Sequence, residues 1–284
     1  MRTTPLLVFA LLAIAPAVAV AQEAGGYTAG PGLGGDDRGE PDGGTPGHSP
    51  EATQDRTFPG TRFWKLDRGH QEFELWWRFR FAHKSAPNTP EYNIVQLEYE
   101  YGLTDRIQLD IYENLTDEGG TWTREGTQIE ARIAVDPVYG RTPLNPVIYL
   151  EWHPLHLGPA RAETRLLLGD QMFGDKVLGA VNLFYEQNVT KNAEHTFVPN
   201  PEAGFTAAAS YAVSGQKLRI GGEVKFALEK ELFSDDGWDK QLLVGPNLST
   251  RIAGTALKLY TTVLFGVTND ARKVDGYLIL ASAL

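Results

Sequence analysis

The chain has 284 residues, 36 acidic against 26 basic, and a formal net charge of −10. It contains no cysteine, so neither a disulfide framework nor thiol chemistry is open to it, and an acidic chain without a basic stripe is a poor fit to nucleic acid. Its mean hydropathy of −0.28 is that of a soluble protein, yet a membrane barrel is not excluded, because only alternate strand residues meet lipid.

Residues 1–21 have the make-up of an export signal. Arg2 gives a positive start, residues 6–18 are apolar but too short for a membrane span, and Ala19-Val20-Ala21 is a small-x-small cleavage site, which places a mature N-terminus at Gln22. Residues 22–56 are rich in Gly, Pro and acid and nearly free of apolar residues, so they are expected to form a disordered periplasmic leader. Residues 57–70 follow as a periplasmic lead-in.

From 71 to 284 the pattern changes to twelve segments of strand character: 71–83, 92–102, 105–115, 125–136, 146–153, 161–169, 175–187, 203–213, 216–229, 240–252, 255–267 and 273–284. None has a helical period, and strands joined in sequence without crossover helices imply an antiparallel meander. In each segment a run on the more apolar parity is free of charge, as Ile107, Leu109 and Ile111 are in 105–115. In "LRIGGEVKFALE" (218–229), Leu218, Ile220, Val224, Phe226 and Leu228 share one face, and Arg219, Glu223, Lys225 and Glu229 share the other. The same split places Phe73, Leu75 and Trp77 opposite Glu74, Arg78 and Arg80. A charge on a lipid-facing strand costs about 2–4 kcal/mol near the bilayer midplane, which would purge one face in this way.

The connections alternate in length. "GLTDR" (102–106), "SGQK" (214–217) and "AGT" (253–255) are short, and "GDQMFGDK" (169–176) falls in the same set. The segments 84–91, 116–125, 154–160, 188–203, 230–240 and 268–273 are the intervening, mostly longer ones. The expected fold is therefore all-β, a transmembrane antiparallel meander barrel of about 12 strands, with short periplasmic turns and both termini periplasmic. One connection breaks the rule: "DPVYGRTPLN" (136–145) sits in a short-turn slot and is long.

The stretch "VQLEYEYGLTDRIQLDIYEN" (95–114), with "FELWWRFRF" (73–81) before it and "IEARIAV" (129–135) after it, resembles the outer-membrane barrels grouped with the MetA-pathway phenol-degradation transporters. The resemblance covers the barrel and not the leader. It implies a Gram-negative outer-membrane barrel of the transporter type, without implying a phenolic substrate. The chain departs from outer-membrane barrels generally in ending on Leu284, where an aromatic is usual.

The charged parity supplies the candidate functional residues: Glu74, Arg78, Arg80, Glu98, Glu100, Asp110, Glu130, Arg132, Glu151, Glu163, Arg165, Glu186, Arg219, Glu223, Lys225, Arg251 and Lys258. They are expected to line the lumen, either as a polar pore with weak ion selectivity or as an ion-pair network filling it. A closed structural or adhesion barrel, binding partners through its outer loops or its leader, is the second reading. A lipid-active enzyme is the third, and it lacks both the His-x-Ser-Asn-Gly and the Gly-x-Ser-x-Gly signatures. No cofactor or metal is expected. His153 and His156 flank Pro154 at a strand end without a third ligand, and Asp235, Asp236 and Asp239 form an acidic loop. The expected partners are outer-membrane lipid and lipopolysaccharide, with a small-molecule solute as cargo.

Overall fold

The computed structural model describes residues 49–82, 91–118, 120–155, 158–173, 175–214, 217–230 and 237–284. The expected export signal, residues 22–48 of the leader, His156, Asp235 and Asp236 lie outside the described residues.

Twelve strands close into one barrel: β1 (Gln71–Arg80), β2 (Tyr92–Gly102), β3 (Ile107–Glu118), β4 (Thr121–Ala134), β5 (Val147–His153), β6 (Arg161–Met172), β7 (Val177–Asn188), β8 (Glu202–Ala212), β9 (Leu218–Glu229), β10 (Asp239–Arg251), β11 (Leu257–Gly266) and β12 (Val274–Ala283). Each pairs antiparallel with its neighbour in sequence, and β1 closes on β12 with Leu75 opposite Leu280. Closure leaves no edge strand, so the ladder hydrogen bonds are satisfied all the way round. All twelve expected strands are present. The largest boundary difference is at 116–125, expected as a loop, where β3 and β4 instead run on as a hairpin to Glu118 and from Thr121. A bulge between Asn114 and Leu115 of the register lets pairing continue there.

The apolar parity faces outward. Leu75, Trp77, Ile129, Leu150, Leu183, Val244 and Phe265 are all exposed. The opposite parity faces the interior, where Glu74, Glu98, Glu130 and Glu223 are buried. The barrel is thus inside-out relative to a soluble sandwich. Its interior is not charged throughout, however. Val147, Leu167 and Leu178 form one apolar patch on the inner wall, and Leu243, Leu264 and Ile279 form another.

The interior also holds a segment that the sequence reading set outside it. Residues 49–67, expected as the end of the leader and a periplasmic lead-in, pack within the barrel, with a single helical turn at Glu51–Gln54. Phe58, Phe63, Trp64 and Leu66 are buried there, the first three against the inner patch of β4–β8. The chain then reverses into β1 at Gly69, whose φ of +82° is a left-handed conformation that favours glycine. The amide of Gly69 donates to Gly102 O, and that of Gly102 to His70 O, tying this turn to the end of β2.

The inserted segment explains the turn that broke the length rule. Residues 135–146 fold back under it. Val138 and Tyr139 are buried, and the Tyr139 ring meets both Trp64 and Phe63. Asn145 braces this turn, accepting from the Gly140 amide at 2.6 Å and donating to Gly169 O at 3.0 Å.

Candidate functional site

The N-terminal insert meets the charged wall through two arginines. Arg56 Nε donates to Glu74 Oε1 at 2.7 Å, while its Nη2 lies 3.2 Å from Glu98 and 2.8 Å from Glu100. Arg62 reaches Glu98 at 3.1 Å, Glu100 at 3.2 Å and Glu130 at 3.8 Å. From the wall, Arg132 contacts Glu100 and Asp110 at 3.2 Å each, and Glu130 at 2.5 Å. Five buried carboxylates (Glu74, Glu98, Glu100, Asp110, Glu130) therefore face three guanidiniums, of which only Arg132 belongs to the wall. A buried charge without its partner costs several kcal/mol, so the insert supplies neutralisation that these strands lack on their own.

Other ties hold the insert in place. Arg251 pairs with Glu51 and Asp55, and Lys258 bridges Asp55 and Glu72. The Gly60 amide and the Thr61 hydroxyl donate to Glu223 Oε2, and the Arg62 amide donates to Asn182 Oδ1. Lys65 is buried beside Trp64 and donates to Leu66 O. Burial lowers the pKa of its ammonium below the ordinary lysine value, outweighing the opposite pull of Asp67 and Asp105. Burial, together with Asp170 beside it, holds the Tyr139 phenol well above its usual range.

The cross-strand register reveals a further order. Glu72 stands opposite Glu100, Glu100 opposite Asp110, Asp110 opposite Glu130, and Glu130 opposite Glu151. Glu151 then faces Glu163, Glu163 faces Glu186, Glu186 faces Glu202, Glu202 faces Glu229, and Glu229 faces Asp239. Each of the ten strands from β1 to β10 contributes one carboxylate to an unbroken row. Directly opposed like charges are destabilising. Because strands in a barrel are tilted and staggered, this line climbs as it turns. It starts beside the first residue of β1 at the short-turn rim and ends at the first residue of β10 at the other rim.

Above the insert, toward the longer connections, lies a cavity of about 290 Å³ floored by Pro59, Gly60 and Arg62. Most of the remaining candidate residues surround it, in pairs. Arg78 and Arg80 lie 2.5 and 3.6 Å from Asp275, Arg165 2.7 Å from Glu163, Arg161 2.8 Å from Glu186, and Lys225 3.1 Å from Glu202. Glu151 accepts from Gln128 at 2.6 Å and from the Tyr149 hydroxyl at 2.5 Å. Arg219 stands apart, at the short-turn rim, donating to Ser210 and to the carbonyls of Asp175 and Lys176.

Apart from Arg219, the expected lumen residues thus divide between a packed lower network and an upper cavity. Arg56, Arg62, Glu72, Glu125, Arg161, Glu202 and Asp275 were missed. The aromatics of "TFPGTRFWKLD" (57–67) were the available signal for the insert, since Phe58, Phe63 and Trp64 have no reason to sit in water together. Glu125 reaches the lumen only because it is the extra residue of the bulge between Gly126 and Arg124, which re-aims it. Two carboxylate triads, Glu74/Glu98/Glu100 and Glu98/Asp110/Glu130, bring ligand atoms within 4.8 Å of one another, as a metal site would. Arg56, Arg62 and Arg132 occupy that position instead. His153 is buried at the end of β5.

No family model matches the chain, and no curated protein matches it. Among solved structures it is similar to an outer membrane channel from Pseudomonas putida F1, with a TM-score of 0.53 at 10% identity over 78% of this chain and 98% of that one. It is also similar to the NanC porin, with a TM-score of 0.52 at 9% identity over 74% and 97% of the two chains. What is shared at such identities is the barrel.

Proposed function

We propose that this chain is an outer-membrane channel for small polar solutes, closed in this structure at its short-turn end by its own residues 49–67. The carboxylate row carries the reading. Cations hold most of its members, Lys258 at Glu72, Arg132 at Glu100, Arg165 at Glu163, Arg161 at Glu186 and Lys225 at Glu202, and a conduit gains from the row a polar wall that runs from one rim to the other. The exposed apolar parity suits lipid contact, with lipopolysaccharide against the rim of the longer connections and both ends of the sheet on the periplasmic side. The two channel structures of like fold, and the resemblance of residues 95–114 to phenol-degradation transporters, agree with passage of a small solute.

The tightly packed insert favours one alternative, a closed barrel that binds a partner through its outer loops. Osmotic swelling of proteoliposomes separates the two. Vesicles holding the folded Arg56→Ala/Arg62→Ala barrel should swell several-fold faster in glycine or arabinose than vesicles holding the wild type. A folded double variant that swells no faster than protein-free vesicles would favour the closed barrel.

A further inference from the structure

Six cations and six carboxylates line the upper cavity, but they are not matched one to one. Every cation lining it is engaged by a carboxylate: Arg62 by Glu98 and Glu100, Arg78 and Arg80 by Asp275, Arg161 by Glu186, Arg165 by Glu163, and Lys225 by Glu202. Three lining carboxylates, Glu125, Glu151 and Glu223, have no ion pair among the described residues. Their partners are neutral: the Thr116 hydroxyl for Glu125, Gln128 and Tyr149 for Glu151, and Gly60 with Thr61 for Glu223.

An independent observation marks the same place as short of a ligand. Glu223 is 2% exposed and lines the cavity, yet its Oε1 has no hydrogen-bond partner among the described residues. The Asn247 side-chain amide lies beside it and is a neutral donor, itself without another hydrogen-bond partner among the described residues. A buried carboxylate oxygen left unpaired costs free energy that a donor, above all a cationic one, would recover. Tyr112, Tyr149 and Phe184 add apolar lining for the carbon chain of such a guest, with Arg165 already over the Tyr149 ring and Lys225 over that of Phe184.

We propose that the upper cavity binds a small organic cation carrying ammonium or guanidinium groups, with Glu151 and Glu125 on the β4–β5 wall and Glu223 on the β9 wall as its counter-ions. Carboxylates on separate walls suit a guest charged at both ends, such as a short diamine. This deepens the channel reading and rests on it, since it names the class of solute that the conduit would carry.

Isothermal titration calorimetry on the folded full-length mature barrel in neutral detergent tests the site. The probe is 1,4-diaminobutane, compared with succinate and 1,4-butanediol of the same chain length. The diamine should bind, succinate should not, and the diol should bind far more weakly. Glu151→Gln and Glu125→Gln should each weaken diamine binding about tenfold or more, while Glu113→Gln, which removes a partner of the exposed Arg124 and does not line the cavity, should leave it unchanged. Heat-modifiable migration shows that each variant is folded. Succinate binding as well as the diamine, diamine binding indifferent to both cavity substitutions, or no diamine binding by the folded wild type would each overturn the proposal. The swelling assay is read separately. Swelling without diamine binding removes the cation site and leaves the channel, and diamine binding at Glu151 without swelling removes the channel and leaves the site.

Discussion

Tyr139 stands edge-on to Trp64, with ring centroids 5.4 Å apart and planes at 83°. The contact joins a turn between β4 and β5 to the segment inserted in the lumen, and its hydroxyl is fixed by Asp170 at 3.1 Å. Truncating a buried aromatic costs about 3–5 kcal/mol, so Tyr139→Ala should loosen the insert. Limited trypsin digestion of the folded barrel reads this directly, through cleavage after Arg56, Arg62 or Lys65. The variant should be cut many-fold faster than wild type. Leu144→Ala, at an exposed position of the same turn, should not change the rate.

Arg56, like Arg62, engages three wall carboxylates, touching Glu74, Glu98 and Glu100 and lying 4.2 Å over the Trp76 ring. Arg56→Ala should lower stability by about 3–5 kcal/mol, because it strands buried carboxylates rather than merely deleting a contact. Adding Glu98→Gln should recover part of that loss. Guanidinium titration followed by tryptophan fluorescence gives the cycle. Two independent, additive losses would show that the pair is not coupled.

Lys65 sets a pH dependence. Its folded-state pKa is lowered by burial, so the unfolded chain holds the proton more tightly. Stability should therefore rise as pH climbs through the lowered folded value and level off above the ordinary value near 10.5. Below that window the penalty is fully present. Lys65→Met should melt higher than wild type at pH 8, with the gap narrowing by pH 10. A gap that stays constant would contradict the assignment.

The outward parity makes its own demand. Leu75 lies opposite Leu97 and Leu280, in the middle of β1. Leu75→Arg should cost about 2–4 kcal/mol when the barrel folds into lipid vesicles, measured by urea titration of folding. A loss no greater than that of Leu75→Ala would argue against lipid at this face.

Much of this was legible in the sequence, for a definite reason. Alternation with period two assigns every residue to a face, so Leu75 and Glu74 could be placed outside and inside without a structure. Register is different. Parity cannot say that Glu163 opposes Glu186 rather than Phe184, because sliding one strand by two residues keeps its faces and changes its partners. The carboxylate row was invisible for that reason, and so was Glu125, whose parity the bulge reverses. The insert was hidden by composition: the Gly- and Pro-rich residues before it made 49–67 look like linker, although Phe58, Phe63 and Trp64 belong to a core. The long turn at 136–145 was noticed as an exception, but only its partner Trp64 explains it.

The most direct test of the central claim is single-channel current through the barrel from Gln22 to Leu284 in a planar bilayer under a KCl gradient, wild type beside Arg56→Ala/Arg62→Ala. Freeing the insert should expose five wall carboxylates against Arg132 alone. The double variant should then show frequent steps with a reversal potential on the potassium side, and the wild type rare or smaller ones. A heat-modifiable double variant that stays silent, or that passes chloride in preference, would contradict a conduit lined by this acidic wall and closed by this segment.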